Sequence, residues 1–233
     1  MFDFDIARLE KGVWHPELID ELERLIAPSY GPGAMVLADE LLRSDRLYLA
    51  RDAQGLAAFM LVARVRLPVG VESRQARYVG LSAVRQDQRG SGGALAALHA
   101  RFSADVRSEE ARLGCRLLVF STTDTPLGLR RARALWGEVQ PADTSFPVDL
   151  GLVARAAARW LGAATSRQHP CVLPGLGTLR RHGAGNREWI ETEADRREVD
   201  LIRQLGVDEA NGDRLLLFCS LPGVKPETEA EAA

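Results

Sequence analysis

Lysine is nearly missing from this chain. Of its 30 cationic residues only Lys11 and Lys225 are lysines, so almost every positive charge is a guanidinium that stays charged at any working pH. Basic residues are not in surplus either. The 32 acidic residues leave a net charge of −2, so nothing suggests a general nucleic-acid binder, because neutralising phosphates needs an excess of cations. Cysteine is scarce and odd in number. Cys115, Cys171 and Cys219 form no C-x-x-C pair, so neither a disulfide framework nor a zinc knuckle is indicated, and a reducing cytoplasm is the expected setting. The four histidines, His15, His99, His169 and His182, are scattered, and no carboxylates pair at ligand spacing, so no metal is expected. No apolar run approaches the roughly 20 residues of a membrane helix. The longest, 56–63, is far shorter, and the start at Met1 lacks the basic and apolar regions of a secretory signal.

The 233 residues, 46% apolar and 27% charged, suit one globular domain with a substantial core. The opening reads as a short strand. Pro16, at a first helical position, then starts a helix whose apolar stripe is Leu18, Ile19, Leu22, Leu25 and Ile26. A break at 30–33 precedes a second helix, with Met35, Ala38, Leu41 and Leu42 expected on one face. Strands at 47–50 and 56–67 flank the turn residues 52–55 and read as a hairpin. A loop is expected at 68–73 and a buried strand at 77–84. The spacing of Leu95, Leu98, Phe102 and Val106 predicts a helix that stops at Gly114. A strand at 116–120, with Cys115 at its start as a core residue, a polar turn at 121–126 and a helix at 127–136 follow. Helical patterns then recur at 148–161 and 186–205, with a Gly/Pro-rich connection at 169–185 and a last strand within 213–221. The acidic, alanine-rich segment 223–233 reads as disordered.

The sharpest local signal is the run Arg89-Gly90-Ser91-Gly92-Gly93-Ala94 between a strand and a helix. First-turn amides of a helix lack internal acceptors and sit at the positive end of the macrodipole. Glycines let a pyrophosphate approach that backbone closely. A Walker A loop would need a lysine, which is absent here. A dinucleotide fingerprint would need a glycine where Leu95 stands. The stretch 81–94 instead resembles the acyl-CoA motif of the GNAT superfamily of N-acyltransferases. Arg89, Gly92 and Ala94 occupy the fixed positions of its R/Q-x-x-G-x-G/A pattern. The order of elements over about 2–139 resembles that family as well, and the last strand extends the resemblance toward 221.

The resemblance implies an α/β fold with a central mixed, largely antiparallel sheet flanked by helices. Residues 1–222 would form one acyltransferase domain, and 142–211 a helical insertion before the last strand, expected to cover the acceptor side. It implies acetyl-CoA as cofactor and a small-molecule amine as acceptor, with direct attack on the thioester. A homodimer is left open. The motif strand would part from its neighbour and pair with the pantetheine arm through Ser82, Ala83 and Val84, with the Val84 amide polarising the thioester carbonyl. Gln88, Arg89, Gly90, Ser91, Gly92, Gly93 and Ala94 would cradle the pyrophosphate.

The family often places an acidic tyrosine in the helix after the fifth strand, and 127–136 contains none. Ser121, Thr122 or Thr123 would have to assist the departing thiolate, and Asp124 would bind or deprotonate the amine unless it is a helix cap or turn residue. His99 reads foremost as a packed histidine, and Arg130, Arg131 and Arg133 as a solvated helix face. Trp136, Trp160 and Trp189 are helix anchors or pocket walls. Two other functions stay open: an acyltransferase taking a longer chain or acyl-carrier protein, and an acyl-CoA-binding module without chemistry.

Overall fold

A computed structural model of the chain describes residues 4–30, 33–89, 93–142, 148–177 and 196–219. Chain order is β1 (Asp5–Glu10), α1 (Pro16–Ile26), α2 (Gly33–Arg43), β2 (Arg46–Asp52), β3 (Gly55–Val69), β4 (Glu72–Val84), α3 (Gly93–Leu113), β5 (Leu118–Thr123), α4 (Pro126–Trp136), α5 (Val148–Trp160), β6 (Val172–Leu173), α6 (Arg196–Gln204) and β7 (Arg214–Cys219). The strands form one seven-stranded sheet in the order β1-β2-β3-β4-β5-β7-β6. Every pairing is antiparallel except β4 with β5. This is the GNAT-like arrangement that the resemblance implies. No described helix is long and apolar enough to cross a membrane.

The two faces of the sheet follow from strand alternation. On one face Tyr48 meets Phe102 of α3 edge-on, with ring centroids 6.0 Å apart. Arg46 and Arg77 reach the same helix and share Glu109, with Arg46 Nη2 2.5 Å from Oε1 and Arg77 Nε donating to Oε2 at 2.7 Å. Burial works against the charged form of Glu109, but the hydrogen bonds from both arginines outweigh it and hold the carboxyl below its ordinary range. Tyr48 also donates to Asp105 Oδ2 at 2.9 Å. On the opposite face α1 and α2 bury Leu18, Leu22, Ile26, Val36 and Leu37 against Leu47, Leu49, Phe59 and Leu61. Trp160 of α5 packs there on Tyr78 and Phe120, at 5.1 and 5.8 Å between centroids.

Helix α1 begins as read, with Pro16 in its first turn and His15 Nδ1 accepting from the Leu18 amide. Several expectations are corrected. In α2 the inward face is Gly33, Val36, Leu37 and Glu40, whereas Met35, Ala38 and Leu42 are exposed. The stripe is out of phase with the sequence reading because a carboxylate, Glu40, occupies one of its buried positions. The loop expected at 68–73 shrinks to a turn at Gly70, whose positive φ of 62° suits glycine, so β3 and β4 form a longer hairpin. Residues 121–123 belong to β5 rather than to a turn, and Cys115 lies outside the strand and exposed, because the buried register starts only at Leu117. Within the connection expected at 169–185, Val172 and Leu173 pair with Leu215 and Arg214 as the edge strand.

The segment 142–211 contributes α5, β6 and α6 to this body. Helix α5 packs on β3, and α6 packs on α4 with Arg133 Nη1 2.7 Å from Glu198 Oε1. Trp189, His182 and the segment 223–233 lie outside the described residues.

Removing Glu109 leaves two buried guanidiniums without their shared counter-ion. Glu109→Ala is expected to lower the unfolding free energy by about 3–5 kcal/mol, read from urea denaturation. An unchanged midpoint would show that α3 is held without this contact.

Candidate functional site

Strands β4 and β5 pair in parallel only from Ala76 with Leu118 to Val79 with Ser121. Beyond that point each strand continues with its other neighbour. Strand β4 stays on β3 to Val84, and β5 stays on β7 to Thr123. A wedge therefore opens between two well-paired walls.

Its origin is a bulge. Met60 pairs with Ser82 but Val62 with Val79, so Gly80 and Leu81 together oppose Leu61. The Glu40 carboxylate, fully buried, accepts from the Leu81 amide and the Tyr78 hydroxyl, both at 3.3 Å, and lies 3.5 Å from Arg43 Nη1. A Cβ at position 80 would sit 2.1 Å from Glu40 Oε2, so any side chain there would displace this carboxylate from its bonds.

Past the bulge the register fixes which backbone groups face the wedge. The Arg85 amide donates to the Ala57 carbonyl at 2.8 Å, which makes Val84 and Ala58 a non-hydrogen-bonded pair. The N–H and C=O of Val84, and by alternation of Ser82, therefore point away from β3 toward the gap. Ala83 spends its backbone bonds on Phe59.

The wedge holds a cavity of about 200 Å³. Its walls come from β4 (79–84), the end of β5 and its turn (121–125), α3 (Leu95, His99), α4 (Leu127, Gly128, Arg131, Trp136), the end of α1's turn (Ser29, Tyr30), and Arg89, Arg214 and Leu217. Of the coenzyme-binding residues expected from the sequence, Ser82, Ala83, Val84 and Arg89 line it. Gln88 is buried in a 3-10 turn, while Gly93 and Ala94 open α3 beside the cavity without lining it. Gly90, Ser91 and Gly92 lie outside the described residues. Two guanidiniums fix the approach to this turn. Arg85 binds Asp52 and Asp87, with Nη2 2.6 Å and Nε 2.7 Å from their oxygens. Arg89 Nη2 donates to Ser29 Oγ at 2.7 Å and so ties the turn to the α1–α2 junction.

The expected catalytic residues also converge here. Ser121 is half-buried on β5. Thr123 Oγ1 accepts from the Thr125 amide and donates to the Thr125 carbonyl, both at 3.2 Å, so its hydroxyl shapes the turn into α4. Thr125 is the N-cap of α4, accepting from the Gly128 amide. The cap is therefore not Asp124. Asp124 forms a buried ion pair, its Oδ1 2.7 Å from Arg214 Nη1, on the cavity wall.

Sequence reasoning missed Arg214, since nothing in an apolar final strand announces that its first residue reaches across to β5's turn. It also missed Ser29 and Tyr30, which read only as the end of a helix and the start of the break at 30–33. Among the expected wall tryptophans, Trp136 lines the cavity, whereas Trp160 anchors α5. His99 is buried as read, yet it also faces the cavity, with Nδ1 3.1 Å from the Trp136 indole nitrogen. Burial lowers its pKa to about 4.

No protein-family model matches the sequence, and no curated protein does. Solved structures similar to it include a conserved Enterococcus faecalis protein described as a probable N-acyltransferase, at 14% identity and a TM-score of 0.41. That match takes in 55% of this chain and 31% of the other, so this chain spans about a third of that protein. A GNAT family N-acetyltransferase from Escherichia coli in complex with CoA is similar at 18% identity and a TM-score of 0.40, over 56% of this chain and 68% of that one. A ribosomal-protein-alanine N-acetyltransferase from Brucella melitensis biovar Abortus gives 21% identity and 0.39, over 63% and 98%. Each is alike over part of the fold.

The depressed pKa of His99 sets a stability window. Between pH 6.5 and about 4 the unfolded chain takes up a proton that the folded ring refuses. Stability then falls as the pH drops through that window, by up to about 3 kcal/mol for this group. Burial lowers His169 as well and adds to the same slope. Urea midpoints at pH 7.5 and pH 5 are expected to differ less for His99→Phe than for the parent chain. An equal difference would mean that His99 titrates normally in the fold.

Proposed function

We propose that the chain is an acyl-CoA-dependent N-acyltransferase that moves an acetyl group from acetyl-CoA to a primary amine. The observation that carries this reading is the free strand edge of β4. Ser82 and Val84 aim unspent N–H and C=O groups into a cavity, at the point where β5 has parted from them. An extended ligand that carries amides satisfies such an edge as an added strand would. The edge leads toward the start of α3 and the Arg89 guanidinium, where phosphates suit free amides and positive charge. Strand edge, cavity and helix start together fit the coenzyme.

When bound, acetyl-CoA supplies a thioester whose acyl carbon an amine attacks directly, with coenzyme A departing as a thiolate that takes a proton from water. The Val84 N–H, already oriented by the β3–β4 register, donates to the oxygen on which negative charge grows. Because this donor sits in a paired strand, it needs no reorganisation to do so. Arg89, Arg131 and Arg214 give the walls a surplus of positive charge over Asp124. That favours a polyanionic donor and disfavours a resident ammonium, so the amine is drawn to Asp124, the carboxylate among the described wall residues. Asp124 receives the amine's proton, directly or through water, and Arg214 steadies the carboxylate's position.

A second reading has a specific observation behind it. Thr123 is committed to a turn and Asp124 to an ion pair, which is what a binding module without chemistry would show. Thiol release from acetyl-CoA across a panel of amines separates the two. Turnover supports the transferase, and coenzyme binding without thiol release supports the module.

Val84→Pro deletes an N–H that the ladder does not use, whereas Ala83→Pro deletes one that it does. The expectation is that Val84→Pro keeps most of the thermal stability but weakens coenzyme A at least tenfold in calorimetric titration. Ala83→Pro should instead lower the melting temperature markedly. Undiminished coenzyme affinity in Val84→Pro would remove the strand-edge assignment.

A further inference from the structure

His99 is a buried imidazole on the cavity wall that takes no part in the proposed transfer. It is 6% exposed and sits one turn beyond Leu95 on the same face of α3, and both side chains line the cavity. Trp136, at the end of α4, is 3% exposed and meets it edge-on, with centroids 5.6 Å apart and the indole Nε1 3.1 Å from Nδ1.

This contact settles the tautomer. An indole nitrogen only donates, so Nδ1 must accept and carries no proton. A neutral ring then holds its single proton on Nε2. Adding a second proton would set N–H against N–H at Trp136. The charged groups around the cavity, Arg89, Arg131, Arg214 and Asp124, are mostly cations and oppose it too. His99 is therefore a fixed N–H donor with no acid–base role. If it gave up the Nε2 proton it would become an imidazolate, since the indole does not pass a proton to Nδ1.

We infer that His99, oriented by Trp136 with its proton on Nε2, donates a hydrogen bond to an uncharged carbonyl oxygen, amide or thioester, of the ligand lying along β4. A neutral donor set past the first turn of α3 matches such an oxygen better than a phosphate, which the helix start and Arg89 serve. His99 is thus a ligand-positioning donor, and Trp136 positions it in turn. The identity of the ligand rests on the acyl-CoA reading of the cavity.

The test uses the full chain, with coenzyme A and acetyl-CoA as probes. In His99→Phe, which keeps the ring and loses the donor, affinity is expected to fall about 3- to 10-fold. A fall for both probes places the acceptor on a pantetheine amide. A fall for acetyl-CoA alone, with slower turnover, places it on the thioester. His99→Gln, which keeps an N–H near the same place, should recover most of the loss. Nitrogen-detected NMR of the parent chain should show the proton on Nε2 at neutral pH and a shift of that resonance on adding coenzyme A. Trp136→Phe should bring the second tautomer into the spectrum. Affinity and turnover equal to the parent's in His99→Phe, a proton on Nδ1, or an Nε2–H resonance unmoved by saturating coenzyme would each overturn the inference while leaving the acyl-CoA reading intact. If His99→Phe does not fold, the spectra decide. A parent chain that takes up no coenzyme A would overturn the acyl-CoA reading, and this inference with it.

Discussion

Past Val79 and Ser121 two parallel strands stop bonding to one another, and the cavity exists because neither can close the gap. Strand β4 is kept aside by its bulge at Gly80 and Leu81, and the bulge is kept in place by Glu40. A carboxylate without solvent is costly to bury unless its lone pairs are used. Here the Leu81 amide, the Tyr78 hydroxyl and Arg43 use them. Strand β5 is held from the other side by β7. The gap is therefore fixed by two hydrogen-bonded walls, β3 with β4 and β5 with β7.

Three polar cross-ties then decide what the cavity presents. Arg89 to Ser29 joins the 3-10 turn after β4 to the residues that follow α1. Trp136 to His99 joins α4 to α3. Arg214 to Asp124 joins the last strand to the turn after β5. Each tie spans elements far apart in the chain, and each contributes a cavity-facing group whose hydrogen-bonding role is set by its partner. This is preorganisation in the ordinary physical sense: the groups are placed before a ligand arrives.

Much of the scaffold was legible because it depends on local pattern. Pro16 and the Leu18, Leu22, Ile26 spacing announced α1, Leu98, Phe102 and Val106 announced α3, and Gly114 announced its end. The α2 face was misread because Glu40 occupies a buried position, and a hydrophobicity pattern has no means to tell that carboxylate from a solvated one. The extension of β5 through 121–123 was missed for a similar reason. Serine and threonine read as turn chemistry, whereas here their backbones pair with 215–217 of β7. Cys115 looked like core because of the apolar residues after it, but the buried register starts later.

The sequence by itself determined the order of elements from β1 to α4, the glycine-rich run between β4 and α3, and a composition without a surplus of cations. These depend on neighbours within a few positions, where backbone freedom and side-chain period act directly. Only the tertiary structure decided that Ser82 and Val84 face the gap and Ala83 does not, because that parity is set by the register against β3 across the bulge. It alone brought Arg214 to Asp124 and Trp136 to His99. Such pairings join positions remote in the chain, and their geometry arises only when packing closes the sheet between its two layers of helices.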